Sequence, residues 1–317
     1  MRSRITRSLG GLCLLLAISG SGSAEESAHR APNPSGPLLM VGPAELESVM
    51  YSWSEDVRGH VPGLQMRVQA SDSSTALNLL AQGLAHLALT SRAMNRGELD
   101  TFVSRTGHRP TPLRIGLDAV RILVHRDNPV PGLTLAEVSA IFSGDRRCGA
   151  EASIDDWGKL TSMSLWHSRP IHLFGSAADA DLQTYFREHV LCNGAFKANM
   201  QALSHSQTLL RAIGDSQNAI GFANLAGQNE QVRAIQLSQR TGGPYFEPSP
   251  ANVLSGAYPL SHYLYIYFDK VPQLTLPPSV KKTLSLILSP QGQARLAQAA
   301  RVALPPTSAT EEARKLE

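Results

Sequence analysis

The feature that most constrains the fold is an alternation of strand-like and helix-like patterns in the first third of the chain. Residues 38–41 (LLMV) form a short apolar run, residues 64–68 alternate between apolar and polar, and residues 84–89 complete a third strand-like segment. Apolar residues at helical spacing fill the intervals, at 44–58 and 74–83. Because strands that alternate with helices build layered sheets, the pattern predicts an α/β fold with a mainly parallel sheet.

The N-terminus has the composition of a secretory signal. Three arginines lie within the first seven residues, residues 9–18 are apolar, and the segment ends in small residues at Ala24. The apolar run is too short for a membrane span, which needs about 20 residues. We therefore expect residues 1–24 to be a signal peptide that is cleaved near Ala24. Residues 25–37, polar and proline-containing, are expected to form a flexible leader; an uncleaved anchor is the alternative.

The net charge changes once this segment is set aside. The whole chain carries a formal charge of +3, with 42% hydrophobic and 17% charged residues. No acidic residue precedes Glu25, so removing residues 1–24 takes away three arginines and leaves a neutral chain. A neutral body argues against a nucleic-acid surface, which needs a surplus of Lys and Arg. No later stretch is apolar enough to span a membrane, and we expect an exported, periplasmic, monomeric protein.

The mature chain retains two cysteines, Cys148 and Cys192. In an exported protein, a pair of cysteines is a candidate disulfide. Two separate buried thiols are the alternative. A metal site is not expected, because neither cysteine has a second cysteine at ligand spacing and the histidines are scattered.

Several short motifs occur in order along the rest of the chain. They are residues 116–120 (GLDAV), 125–129 (HRDNP), 132–135 (GLTL), 141–144 (IFSG), 157–160 (WGKL), 169–173 (RPIHL), 186–191 (FREHVL), 219–222 (AIGF), 258–261 (YPLS) and 288–293 (LSPQGQ). In this combination, from about Leu38 to Pro305, they resemble the periplasmic phosphate-binding proteins of ABC importers. The resemblance covers nearly the whole mature chain.

The resemblance implies a two-lobed type II periplasmic-binding-protein fold with mixed, mainly parallel sheets. Lobe I would comprise residues 38–118 and 263–306, and lobe II residues 119–262. Two crossing strands, expected at 119–124 and 263–268, would act as a hinge beside a ligand cleft. The polar residues 307–317 have little to bury and are expected to form a disordered tail.

A tetrahedral oxyanion needs several converging donors, which helix N-termini, hydroxyls and guanidinium groups supply. The family takes them from three turns. The first is rich in Ser and Thr, but here it reads Gly42-Pro43-Ala44-Glu45-Leu46. It has no hydroxyl, Pro43 removes an N–H donor, and Glu45 adds a negative charge.

The second and third turns differ in what they retain. The second keeps Ser73, Ser74 and Thr75 as candidate ligands, with plain N-capping as the alternative. In the third, Ser176 replaces the family's Arg, and residues 180–182 (ADL) replace Ser-Gly-Thr. Asp179 or Asp181 can cap the helix there and compete with an incoming anion.

A further turn at residues 90–94 also fits the family. It supplies Ser91 and Arg92 as candidate ligands, although Arg92 could instead pair with a local carboxylate. Asp118 is expected to cap or to pair rather than to bind ligand. Losing an Arg contact and two hydroxyl contacts costs about 4–7 kcal/mol of anion-binding free energy, or three to five orders of magnitude in affinity.

We therefore predict a periplasmic solute-binding protein resembling the phosphate-binding component of an ABC importer, with altered or weakened oxyanion binding. Its partners would be a small oxyanion such as phosphate or another small solute, and an ABC permease. The alternative is a non-transport binding-fold protein that docks a protein partner or acts as a sensor. No enzyme activity and no cofactor are expected, because nucleophile-elbow, zinc-helix and phosphate-loop motifs do not occur.

Overall fold

The computed structural model describes residues 36–177, 179–224 and 229–317. The predicted signal peptide and most of the predicted leader lie outside the described residues. The strands are β1 (Leu38–Pro43), β2 (Met66–Ser71), β3 (Leu87–Thr90), β4 (Thr111–Ala119), β5 (Arg121–His125), β6 (Gly132–Thr134), β7 (His172–Ser176), β8 (Gln201–Leu203), β9 (Ala219–Ala223), β10 (Val232–Ala234), β11 (Gln236–Ser238), β12 (Ser261–Phe268) and β13 (Val302–Ala303).

The helices alternate with these strands along the chain. They are α1 (Glu47–His60), α2 (Ser73–Ala81), α3 (Arg96–Thr106), α4 (Leu135–Phe142), α5 (Ala180–His189), α6 (Ser206–Gly214), α7 (Pro250–Leu254), α8 (Pro278–Leu288), α9 (Pro290–Gln298) and α10 (Pro306–Ala313). The β-α-β-α-β alternation predicted from the sequence is present as β1-α1-β2-α2-β3. A short 3₁₀ turn at Ala44–Leu46 precedes α1, at the start of the segment predicted to be helical.

Two larger mixed sheets and one small pair of strands form the framework. The six-stranded sheet has the order β13-β4-β12-β3-β1-β2, the five-stranded sheet β10-β5-β9-β7-β8, and β11 pairs with β6. The prediction of an α/β fold with mixed sheets is confirmed. Among the described strands, five pairings are parallel and five antiparallel, so the parallel pairs do not dominate.

The path of the chain between the two larger sheets can be compared with the two predicted crossings. β4 belongs to the six-stranded sheet and β5 to the five-stranded sheet, so the chain passes between them at Val120, within the predicted first crossing. The predicted second crossing, residues 263–268, lies instead inside β12, which pairs with β4 over Ser261–Phe268 and with β3 over Tyr265–Phe268. The return to the six-stranded sheet is therefore complete before Ser261.

Aromatic and aliphatic packing fixes the positions of helices α5 and α2. Phe186 of α5 stacks on Phe222 of β9, with ring centroids 4.1 Å apart, and meets Phe142 of α4 edge-on. In α2, residues Ala76, Leu77, Leu80 and Ala81 are buried at helical spacing. This packing holds the N-termini of α2 and α5 at the ends of β2 and β7, the strands that precede them.

The expectation of a disordered tail at residues 307–317 is wrong. The segment forms α10 followed by a 3₁₀ turn at Arg314–Leu316, and Ala309 and Leu316 are buried. Glu312 Oε2 accepts a hydrogen bond from the backbone N–H of Arg114 in β4, at 2.9 Å. The few apolar residues of this polar segment all face the same way, and they suffice to dock it on the six-stranded sheet.

The predicted disulfide is present. Cys148 and Cys192 are bonded, with their Cα atoms 5.3 Å apart. The bridge ties the loop after α4 to the loop after α5. No described helix has the length and apolar character needed to cross a bilayer, and the described residues contain no cluster of His, Cys, Asp and Glu able to hold a metal ion.

Candidate functional site

The candidate site lies where the carboxyl ends of parallel strands from both sheets meet. β1, β2 and β3 are parallel, and they lead into Glu45, Ser73 and Ser91 respectively. In the other sheet, parallel β7 and β9 lead into Asp181 and Asn224. In α/β folds this edge is where small-ligand sites form. The sequence-predicted turns therefore occupy the expected end of each sheet.

Two carboxylates of the protein itself occupy the N-terminus of α2. Asp72 caps the helix: its Oδ1 accepts from the backbone N–H of Thr75 at 2.9 Å. The hydroxyl of Thr75 donates back to Asp72 Oδ2 at 2.8 Å. From α5, Asp181 Oδ2 accepts from the backbone N–H of Ser73 at 2.9 Å. A helix N-terminus favours an anion through its free N–H groups and its dipole, and here internal carboxylates meet that preference.

Arg92 is held by a neighbouring carboxylate. Its Nη1 and Nη2 donate to the two carboxylate oxygens of Glu98 at 2.8 and 2.6 Å, and Nη2 also donates to Ser74 Oγ at 2.7 Å. Arg92 Nε lies 3.7 Å from Asp181 Oδ1, and both side chains are about nine-tenths buried. The hydrogen bonds that Arg92 donates to Glu98 raise the pKa of Arg92 above its usual range. Of the two readings left open by the sequence, the structure contains the local ion pair.

The predicted hydroxyl ligands are also engaged inside the protein. Ser73 Oγ accepts from the backbone N–H of Ser91 at 3.1 Å, and Ser74 Oγ donates to Glu98 at 3.0 Å. The structure thus brings Ser73, Ser74, Thr75, Ser91 and Arg92 into one network around the start of α2. In the third turn, Ser176 Oγ accepts from the backbone N–H of Asp179 at 3.2 Å, so it supports the cap of α5.

Asp179 caps α5. Its Oδ1 accepts from the backbone N–H of Leu182 at 2.8 Å, and its Oδ2 accepts from the side-chain amide of Asn224 at 2.9 Å. Burial raises the pKa of Asp179 to about 6, and the charges of Asp181 and Asp118 act in the same direction. The N-terminus of α5, like that of α2, therefore carries a carboxylate of the protein.

Glu45 lies at the same junction, and one of its carboxylate oxygens accepts no hydrogen bond. Glu45 Oε1 is buried and has no hydrogen-bond partner. Burial raises the pKa of Glu45 to about 8, and the nearby charges of Asp179 and Asp181 add to the effect. The space between the side chains here is too narrow to admit a water molecule. It is lined by Glu45, Ser91, Val120, Asp181, Leu182, Tyr185, Asn224 and His262.

A buried ion pair lies close to Glu45 and Asp179. Arg301 Nε lies 2.6 Å from Asp118 Oδ2, and neither side chain exposes more than 2% of its surface. Asp118 is therefore paired, as the sequence led us to expect. Nearby, Arg121 donates from Nε and Nη2 to the backbone carbonyl of Asn224 at 3.1 and 2.9 Å.

Four residues of the site escaped sequence reasoning: Glu98, Asn224, His262 and Arg301. Glu98 had a detectable signal, because Asn95-x-x-Glu98 is a capping box for α3 and fixes the carboxylate close to the turn that carries Arg92. The other three come from distant segments, and no local pattern brings them to the junction.

Comparisons with known proteins identify the superfamily and the fold. A model of the PBP superfamily domain matches residues 23–291. The chain belongs to this superfamily. It is 33% identical over 293 residues to the phosphate-binding protein PstS of Pseudomonas aeruginosa, covering 92% of this chain and 91% of that protein. The family resemblance inferred from the short motifs is confirmed.

Solved structures share the fold. A putative phosphate ABC transporter substrate-binding protein with bound phosphate from Clostridium perfringens matches with a TM-score of 0.65 and 22% identity, over 85% of this chain and 100% of that one. An ABC-type phosphate transport receptor from Vibrio cholerae matches with a TM-score of 0.68 and 18% identity, over 84% and 100%. These likenesses extend across both sheets.

Proposed function

We propose that this protein is an exported, periplasmic solute-binding protein of the phosphate-binding type, whose oxyanion binding is weakened by its own carboxylates. The family membership and the similarity to the Pseudomonas aeruginosa protein support the binding role. The residues at the candidate site support the weakening. In this role the protein would deliver a small solute to an ABC permease or report its presence, and it would carry out no chemistry on it.

The observation that carries the proposal is the position of Asp181. Its carboxylate accepts from the first N–H of α2 and lies beside the guanidinium of Arg92, as a bound oxyanion would. Asp181 comes from the side of the five-stranded sheet, whereas Ser73 and Arg92 come from the side of the six-stranded sheet. An external anion must therefore displace a tethered internal one before it reaches these donors.

The residues proposed to contact a solute are the donors of this network. Ser73, Ser74, Thr75, Ser91 and Arg92 would face it from one sheet and Ser176 from the other. Binding would require the two sides to move apart, with the crossing at Val120 as one hinge. On closure around a solute, Ser73 N–H would exchange the Asp181 carboxylate for a solute oxygen.

The direct test is a calorimetric titration of the mature protein with inorganic phosphate at pH 7.5. We expect dissociation constants in the millimolar range, consistent with the lost donors and added carboxylates. A parallel thermal-shift screen over oxyanions, sugars, amino acids and metal ions detects any better solute, since a ligand of the folded state raises its stability. Micromolar phosphate binding would contradict the proposal.

A second candidate function is favoured by the closure of the site. The cleft is filled by Glu45, Asp181 and their neighbours, and its hydrogen-bond donors are engaged by acceptors of the protein itself. A binding fold held closed in this way could serve as a sensor or a docking module for a protein partner. In that case neither phosphate nor any solute of the screen would raise the melting temperature, and small-angle scattering would show one compact form with and without them.

A further inference from the structure

The acidic groups of the cleft outnumber the cations placed to neutralise them. Two ion pairs are closed: Arg92 with Glu98, and Arg301 with Asp118. Asp181 shares Arg92 with Glu98, whereas no ion pair of the described residues contains Glu45 or Asp179. All three acids lie at the junction of the sheets. The pKa shifts of Glu45 and Asp179 are both traced in part to the charge of Asp181.

Charged and titratable groups from both sheets lie near these three carboxylates. They are Arg301 and Asp118 from the six-stranded sheet side, Arg92 after β3, Tyr185 from α5 and His262 from β12. One step further out, Arg121 lies near Asp118, Glu188 near Arg92, and His189 near His262. Burial lowers the pKa of His262, so this side chain is neutral near pH 7 and does not offset the acids. Arg121 directs its side-chain donors at the Asn224 carbonyl.

Geometry assigns different roles to the three acids. Asp181 holds the N-terminal N–H of α2 and lies near Arg92, so its charge is compensated. Asp179 holds the N-terminus of α5 but lies close to the charges of Asp181 and Asp118. Glu45 has a buried oxygen with no partner, in a space that admits no water molecule. A proton on Glu45 removes a buried negative charge.

We propose that oxyanion binding in this cleft depends on proton uptake by Glu45 and Asp179, so that the cleft accepts anions as the pH falls. This inference rests on the proposed function, because it concerns the same anion position. With both acids ionised, an oxyanion at Ser73 and Arg92 would adjoin two further negative charges in a water-poor site. With both protonated, the helix N-termini and the guanidinium groups dominate the local potential.

The ligand-free consequence is a specific pH dependence of stability. Carboxyls whose pKa is higher in the folded than in the unfolded state stabilise the fold at low pH. That contribution is lost as the pH rises from the usual pKa of 4.5 through the folded value, about 8 for Glu45. Urea unfolding between pH 5.5 and 8.5 should therefore show a midpoint that falls with pH, and Glu45→Gln should flatten the fall.

The control variant is Glu55→Gln. Glu55 lies two turns into α1, its side chain is 61% exposed, and it pairs with Arg58 on the surface. The substitution Glu55→Gln removes one negative charge outside the cleft, so the pH dependence of its urea midpoint should match that of the wild type. If Glu45→Gln and Asp179→Asn both keep the wild-type slope, the inference is overturned whatever the protein binds. Asn also serves as a helix N-cap, so the second variant keeps the start of α5 intact.

The ligand test is calorimetry with inorganic phosphate and with sulfate at pH 5.5 and pH 8.5. Sulfate does not titrate in this range and separates protonation of the protein from that of phosphate. We expect each ion to bind about tenfold more tightly at pH 5.5 than at pH 8.5. The reason is that protonation removes a like charge beside the anion, and one such charge changes the affinity of a buried anion by about tenfold. Glu45→Gln should bind at pH 8.5 more like the wild type at pH 5.5.

The outcomes distinguish this inference from the proposed function. Anion binding that is equally strong at both pH values, in wild type and Glu45→Gln alike, overturns proton dependence and leaves the binding role standing. Binding of neither anion at either pH, in any variant including Asp181→Ala, overturns the binding role and the inference with it. Tighter binding at low pH that Glu45→Gln renders pH-independent supports both.

Discussion

Asp181 offers the sharpest test of how this cleft works, because its side chain reaches across the junction into the position proposed for the anion. Asp181→Ala removes the carboxylate entirely. Asp181→Asn keeps its size and a neutral acceptor but removes its charge. Both leave the Asp179 cap of α5 in place, so the start of that helix retains its own stabilisation.

The size of the effect follows from the contacts that Asp181 makes. A hydrogen bond between an N–H and a carboxylate contributes about 1.5–3 kcal/mol, and Asp181 makes one at 2.9 Å with Ser73. An internal ligand with that advantage lowers the fraction of protein competent to bind an external anion by about 10- to 150-fold. We therefore expect Asp181→Ala to bind phosphate about 10- to 150-fold more tightly than wild type, and Asp181→Asn to gain less, because its amide oxygen can still accept from Ser73.

The assay is a phosphate titration by calorimetry at pH 7.5 with Asp100→Asn as the matched control. Asp100 lies on α3 with a side chain that is 70% exposed and a surface partner in Arg96, so its loss should leave phosphate affinity unchanged. If Asp181→Ala and Asp181→Asn bind phosphate no better than Asp100→Asn, the carboxylate does not compete with the anion, and the account of weakened binding would be wrong.

Three further predictions concern stability. Reducing the Cys148–Cys192 bridge, or replacing both cysteines with serine, should lower the free energy of unfolding by about 2–4 kcal/mol, read from urea titrations with and without reductant. Leu316→Ala should cost about 2–4 kcal/mol in the same assay, whereas a disordered tail would show no change. Arg301→Met should cost about 3–5 kcal/mol by leaving Asp118 buried without its ion pair, and adding Asp118→Asn should recover part of that loss; equal stability of the single and double variants would argue against the pairing.

Local sequence patterns sufficed for the elements that position the site. The apolar run of β1 and the cap Asp179 before α5 are each encoded within a few residues. The helix α2 was also expected, but its cap is Asp72 and not one of the hydroxyl residues that follow. The family motifs then supplied what local patterns lack, namely the order in which these elements assemble. The tail was predicted wrongly because α10 contains few apolar residues. Its stability as a helix depends on the surface on which it packs, and its own sequence does not reveal that surface.

The pairing of charges across the junction could not be read from the sequence. Sequence reasoning identified Glu45, Asp179 and Asp181 as acids standing where the family has donors, but not which donor each would meet. Asp181 meets Ser73, more than one hundred positions earlier, and Glu45 meets no partner for one oxygen. Such pairings depend on how two sheets face each other, which short motifs do not specify.

If the proposal holds, the arrangement changes the response of a binding fold to anions while the proposed anion-binding elements are retained. The N-terminus of α2, Ser73 and Arg92 are all retained, and each is engaged by a carboxylate or a hydroxyl of the protein. A tethered carboxylate acts as a ligand at high effective concentration, so it competes with a dilute solute without making any better contact than the solute would. Under the proposed proton dependence, uptake of protons by Glu45 and Asp179 beside this competitor lowers the local negative charge, so oxyanion binding would strengthen as the pH falls.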